Sequence, residues 1–189
     1  MGEMIRNLFV ARKKETLLYF EEIGLTLAVP GFLNVLNKKQ LDVTLKKVDQ
    51  HRDMAAPSFA NDGQRRQLFI ARHAEYYHMS GIMIPLGDRR PVDARNDYYE
   101  YEYYQLNKLK DSYQNYKKVV VEEHSTGRVI SGIDFEKSEI AVRVPEEVLH
   151  SIYSYQGFHR GYQIVLTASF SGERRGGELV ESIEKARFS

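Results

Sequence analysis

Residues 98–104 read YYEYEYY, five tyrosines in seven positions of a chain that has 13 in all. Strict alternation sets Tyr99, Tyr101 and Tyr103 on one side of a strand and Tyr98, Glu100, Glu102 and Tyr104 on the other, so a strand here carries a wholly aromatic face. Tyrosine joins a large apolar ring to a hydroxyl that wants a partner, which suits half-buried sheet surfaces and interfaces. On this reading the second half of the chain is β-rich, and one tyrosine face is left for a partner to cover.

The sequence toward the C-terminus supports that division. YKKVVVEEHSTGRVISGIDF (116–135) reads as a hairpin turning at STGR, and SEIAVRV (138–144) as a strand with Ile140, Val142 and Val144 on one side. PEEVLHSIYSYQG (145–157) opens with Pro and two glutamates and closes on Gly157, the pattern of a short helix. A strand over 161–172 and a C-terminal helix after Gly176 complete this half.

The first half reads as more helical. Apolar residues at Ile5, Leu8, Phe9, Leu17, Leu18 and Phe20 before Gly24 predict a helix over Met4–Ile23. Leu25, Leu27 and Val29 alternate in a short strand stopped by Pro30-Gly31, and Leu41, Val43 and Leu45 favour a strand at 40–48. The stretch 64–79 leans to helix by its length, its alanines and Ser80-Gly81 at its end, although both 40–48 and 64–79 fit either period. The expectation is an α+β fold: an N-terminal helix, an antiparallel sheet or sandwich mainly in the C-terminal half, and short connecting helices. One domain over 1–189 is expected, more helical over 1–95 and β-rich over 96–189.

Composition narrows the chemistry. Lys plus Arg number 27 against 26 Asp plus Glu, so no global field draws the chain to nucleic acid or an anionic membrane. With no cysteine there is no disulfide, thiolate nucleophile or Cys-ligated metal. No apolar run reaches the length of a membrane span, and the N-terminus lacks a signal-peptide core. Gly2 is followed by Arg6 where myristoylation wants Ser or Thr. A soluble protein, cytoplasmic or within a particle, is expected.

Three functions are compatible with these residues. The favoured one is a non-enzymatic structural protein of a larger assembly, such as a virion, phage or secretion-type particle. It would oligomerise or join other protein subunits through Tyr98, Tyr99, Tyr101, Tyr103 and Tyr104, with no cofactor. Second is a nucleic-acid-binding module that gathers Arg12, Lys13, Lys14, Arg65, Arg66, Arg89, Arg90, Arg174 and Arg175 into a patch. Third is a metal-dependent hydrolase or oxidase. Glu75 with His78, and Glu147 with His150, share the Glu-x-x-His spacing that aligns two ligands on one helix face. His73 and His78, five apart, diverge in a helix and in a strand alike. Gly-x-Ser-x-Gly and Walker patterns are absent from the sequence.

Overall fold

The computed structural model describes residues 15–50, 57, 59, 64–116, 119–145 and 147–189. Three helices and two antiparallel sheets form the described part. The larger sheet has seven strands in the order β3-β4-β5-β9-β8-β7-β6: β3 (Asn34–Val35), β4 (Arg66–His73), β5 (Tyr77–Pro85), β6 (Val120–Ile130), β7 (Ile133–Val144), β8 (Glu147–His159) and β9 (Tyr162–Phe170). It draws strands from both halves of the chain, because β5 pairs with β9. The smaller sheet is β1 (Thr16–Phe20), β2 (Leu25–Val29) and β10 (Arg187–Phe188), with β2 central. The helices are α1 (Lys38–Gln50), α2 (Pro91–Tyr113) and α3 (Glu173–Glu184). None of the helices among the described residues is long and apolar enough to cross a membrane.

Several sequence expectations change, each for a local reason. The expected N-terminal helix is not found: its described part is strand β1 and a single 3-10 turn, Glu21–Ile23, and its first 11 positions lie outside the described residues. The expected strand at 40–48 is helix α1. Asn37 and Gln40 cap its first turn reciprocally, each backbone N–H donating to the other's side-chain oxygen at 3.0 Å.

The expected helix at 64–79 is a hairpin, with Ala74 in the left-handed region at φ 51° in its turn. Phe69, Ile70 and Ala71 are buried in succession, so both faces of β4 are covered there and the period-two signal disappears. The 145–157 segment is strand β8 rather than a helix. Residues 125–128, expected as a turn, run straight through β6. The chain instead turns at Ser131 (φ 51°) and Gly132 (φ 81°), two consecutive left-handed residues that match a two-residue hairpin.

The YYEYEYY segment is the largest correction: it lies inside helix α2, not in a strand. Pro91 in the first turn presets the helical φ, and Asp93 adds negative charge where the helix dipole is positive. Ala94, Tyr98, Glu102 and Leu106, spaced by four, form the buried stripe. Positions 98 and 102 share a face under both period two and i, i+4, so the segment alone cannot distinguish the two.

The main core lies between the seven-stranded sheet on one side and the small sheet with α3 on the other. Leu25, Leu27 and Val29 of β2 are buried, in the alternation the sequence predicts, against Met79, Leu166, Phe170 and the α3 residues Leu179 and Ile183. At the edge of this core the Tyr155 hydroxyl donates to Glu184 Oε1 at 2.9 Å. Glu184 also accepts from Arg128 and, at 3.3 Å, from Lys137 Nζ. Burial raises the pKa of this carboxyl, but the three donors outweigh it and hold the group below its ordinary range. Tyr155→Phe is expected to cost about 1.5–2 kcal/mol, since it removes a hydrogen bond to a charged acceptor from a fully buried position. Urea unfolding checks this; a loss under about 0.5 kcal/mol would show that the bond is replaced by water.

Candidate functional site

The other face of the large sheet is covered by α2, and here the packing is incomplete. Ile82, Ile84, Val165, Tyr98 and Phe59 form a small separate cluster. Beside it a cleft of about 300 Å³ opens between the helix and the sheet. Period two decides which side chains form its floor. Ser80 and Ile82 come from β5, Val165, Thr167 and Ser169 from β9, Ile152 and Ser154 from β8, and Ile140 from β7. The roof is Tyr98, Tyr101, Glu102 and Gln105 of α2. Phe59 packs edge-on to Tyr98 at 4.9 Å between ring centroids and lies 5.1 Å from Tyr101. The guanidinium of Arg65 lies over the Phe59 ring at 5.9 Å.

Glu102 is the chemically distinctive group of the cleft. It is 9% exposed, its Oε1 is buried without a hydrogen-bond partner, and the hydroxyls of Tyr98 and Ser138 donate to the carboxylate. Burial raises its pKa to about 7; the nearby charges of Glu123 and Glu136 add to the rise, and the two hydroxyl donors oppose it. Tyr98, fully covered, is pushed far above the ordinary phenol range, first by burial and then by the Glu102 charge. Gln163, also buried on this face, donates from Nε2 to the Ala94 carbonyl at 2.9 Å and ties the helix to β9.

The structure separates the expected metal ligands. Glu75 is exposed in the β4–β5 turn and Glu147 is exposed at the start of β8. Glu75 stands in the turn, outside the alternation that orients His78, whereas a register shift in β8 puts Glu147 and His150, the partners of Val144 and Val142, on one face. His78 and His150 also share a face. His78 is paired in register with Ser169, and His150 Nε2 lies 2.9 Å from Ser169 Oγ, with Nδ1 3.2 Å from Ser171 Oγ. Burial lowers the pKa of both imidazoles, with the Arg72 charge adding to the effect on His78. Among the described residues no three His, Cys, Asp or Glu side chains gather in a way that could hold a metal ion.

The expected interface tyrosines scatter around α2. Tyr98 is buried and Tyr101 packs on Phe59 in the cleft. The Tyr99 hydroxyl donates to Glu136, Lys108 sits 5.1 Å over the Tyr104 ring, and Tyr103 faces solvent. The basic positions are also dispersed. Arg66 pairs with both oxygens of Glu22, Arg89 with Asp97 and Arg90 with Asp93. Arg175 lies 5.1 Å over the Phe32 ring. Arg12, Lys13 and Lys14 fall outside the described residues, as does the side chain of Arg174. This arrangement lends no support to a nucleic-acid patch.

Sequence reasoning missed Glu102, Ser154, Thr167 and Ser169 as site residues. The available signal was the Ala94-Tyr98-Glu102-Leu106 spacing, which puts a carboxylate on the apolar stripe of a helix.

Together these features define an α+β protein with a ligand-sized cleft between a long helix and an antiparallel sheet. No protein-family model and no curated protein matches the chain. Among solved structures it is similar in fold to cyanobacterial PsbP (CyanoP) from Synechocystis sp. PCC 6803, with a TM-score of 0.57 and 13% identity over 96% of each chain. The resemblance at that identity is one of fold alone. It is to a PsbP and not to a virion, phage or secretion-particle component. That finding, with the tyrosines on a helix, overturns the expectation of a particle subunit and the viral assignment that went with it.

Proposed function

We propose that the chain, acting as one domain, is a binding module that takes a small amphipathic molecule in the cleft under α2. The observation that carries this reading is the unpartnered Glu102 Oε1 in a cleft lined mainly by aromatic rings, branched aliphatics and hydroxyls, with Arg65 and Gln105 as its other polar groups. Binding sites of this size are mostly apolar with a few placed polar groups, and the floor of β5, β8 and β9 has that character. A buried carboxyl oxygen without a partner carries a desolvation cost that a ligand donor removes.

The neutral fluorophore N-phenyl-1-naphthylamine provides the test. Its emission is expected to rise on mixing with the protein and to saturate. Ser154→Leu and Thr167→Leu narrow the floor and are expected to weaken binding by at least about tenfold while leaving the melting temperature within a few degrees. Unchanged fluorophore affinity in both variants would place the ligand elsewhere and remove this reading.

A further inference from the structure

We propose that the preferred ligand of this cleft is a small organic cation, a protonated amine carried on an aromatic or branched apolar body, with its ammonium group paired to Glu102. The proposal rests on the cleft being a ligand site and specifies the chemistry of what enters. Three independent features converge on a positive charge.

The first is the carboxyl itself. Its Oε1 is buried and unpartnered, and the donors it has, from Tyr98 and Ser138, are neutral hydroxyls. An ammonium N–H supplies both the missing hydrogen bond and the missing countercharge. The second is the surrounding charge. Glu123 on β6 and Glu136 on β7 both act on Glu102 with the same sign, whereas Arg65, at the Phe59 side, is the cation among the lining residues. On the same face of the sheet but outside the lining, His78 and His150 have their pKa values lowered by burial, which favours the neutral imidazole and disfavours a repelling charge. An anionic ligand beside Glu102 would be repelled by that carboxylate and, from beyond the lining, by Glu123 and Glu136. The third is the ring cluster: Phe59, Tyr98 and Tyr101 present aromatic faces and edges within 4.9–6.4 Å of one another beside the carboxyl. Such clusters hold ammonium groups through the ring quadrupole and hold the apolar body by contact. The hydroxyls of Ser154 and Thr167 remain as acceptors for the other N–H groups.

The pairing has a signature in pH. The amine binds the ionised carboxylate, and Glu102 alone holds its proton up to about pH 7. Binding below that pH therefore releases a proton from Glu102 to solvent. Affinity for the amine is expected to be about tenfold higher at pH 8 than at pH 6, following the ionised fraction of Glu102.

The experiment is isothermal titration calorimetry of the full chain with 2-phenylethylamine, and with 2-phenylethanol and 3-phenylpropanoate as neutral and anionic counterparts of similar size. The amine is expected to bind at least tenfold more tightly than either at pH 8, to lose about tenfold at pH 6, and to displace the neutral fluorophore. Glu102→Gln is expected to remove the preference for the amine over 2-phenylethanol and the pH dependence together. The wild-type pH dependence tests the pairing even if that variant folds poorly. Equal affinity for alcohol and amine, or tighter binding of the carboxylate, overturns the cation assignment and leaves the cleft reading intact. Failure of all three compounds and of the fluorophore overturns both.

Discussion

The unfolding free energy of the Glu102→Gln variant, relative to the parent chain, is expected to rise by about 2–3 kcal/mol between pH 5 and pH 8. Glu102 titrates at about 7 in the folded protein and near 4.5 when exposed, so the folded state holds its proton more tightly. A carboxyl shifted in that direction contributes its full stability below the unfolded value and loses it as the pH rises through the folded value. The parent therefore bears the whole cost of an ionised, buried carboxylate by pH 8, and glutamine bears none. His78 and His150 work in the opposite sense: their lowered values stabilise the fold above the ordinary histidine range and are lost as the pH falls. They are common to both proteins, so the difference between variant and parent isolates Glu102. Denaturant titrations at four or five pH values measure it. A difference that stays level with pH would mean that Glu102 is solvated in the folded state and that the cleft is wetter than its lining implies.

Adjacent glycines in α3 are expected to respond to alanine with opposite signs. A Cβ at Gly176 would stand 2.1 Å from two ring carbons of Phe170, whereas a Cβ at Gly177 meets no atom within 4 Å. Phe170 cannot easily yield, because it is buried and stacked on Tyr153 at 5.6 Å with the rings 10° from parallel. Gly176→Ala must push the helix off β9 and is expected to cost about 2–3 kcal/mol from overpacking, less about 1 kcal/mol of gained helix propensity. Gly177→Ala keeps only the gain and is expected to stabilise by about 0.5–1 kcal/mol. Unfolding midpoints that shift in the same direction for both variants would mean that α3 does not rest on Phe170 as described.

Local signals explain which elements were legible from the sequence. Leu25, Leu27 and Val29 could be read because β2 packs one face on the core and leaves the other half-covered, so its burial alternates. The sheet strands from β6 to β9 were harder where both faces are in use. β8 carries Tyr153 and Tyr155 toward one layer and Ile152 and Ser154 toward the other, which hides a strand behind a composition typical of a helix. Pro145 stands just ahead of β8, and proline suits the approach to a strand as well as the first turn of a helix. Asn37 just before α1 with Gln40 in its first turn, and Pro91 with Asp93 in α2, are local helix signals, but the alternation that follows each of them is the more conspicuous pattern. The site was less legible than the fold. Its floor is built from β5, β7, β8 and β9, and residues more than 80 positions apart in sequence meet there, as Ser80 and Thr167 do in register. Only the pairing of β5 with β9 brings them together.

Strand β9 divides two kinds of evolutionary freedom between its odd and even positions. Ile164, Leu166, Ala168 and Phe170 face the dry layer, whose fit leaves little room for change, while Val165, Thr167 and Ser169 face the cleft. Substitutions at the odd positions can reshape what the protein accepts without disturbing the layer that keeps it folded. A lineage carrying this strand can therefore diversify its ligands one residue at a time, and a designer can do the same with a small library at those three positions.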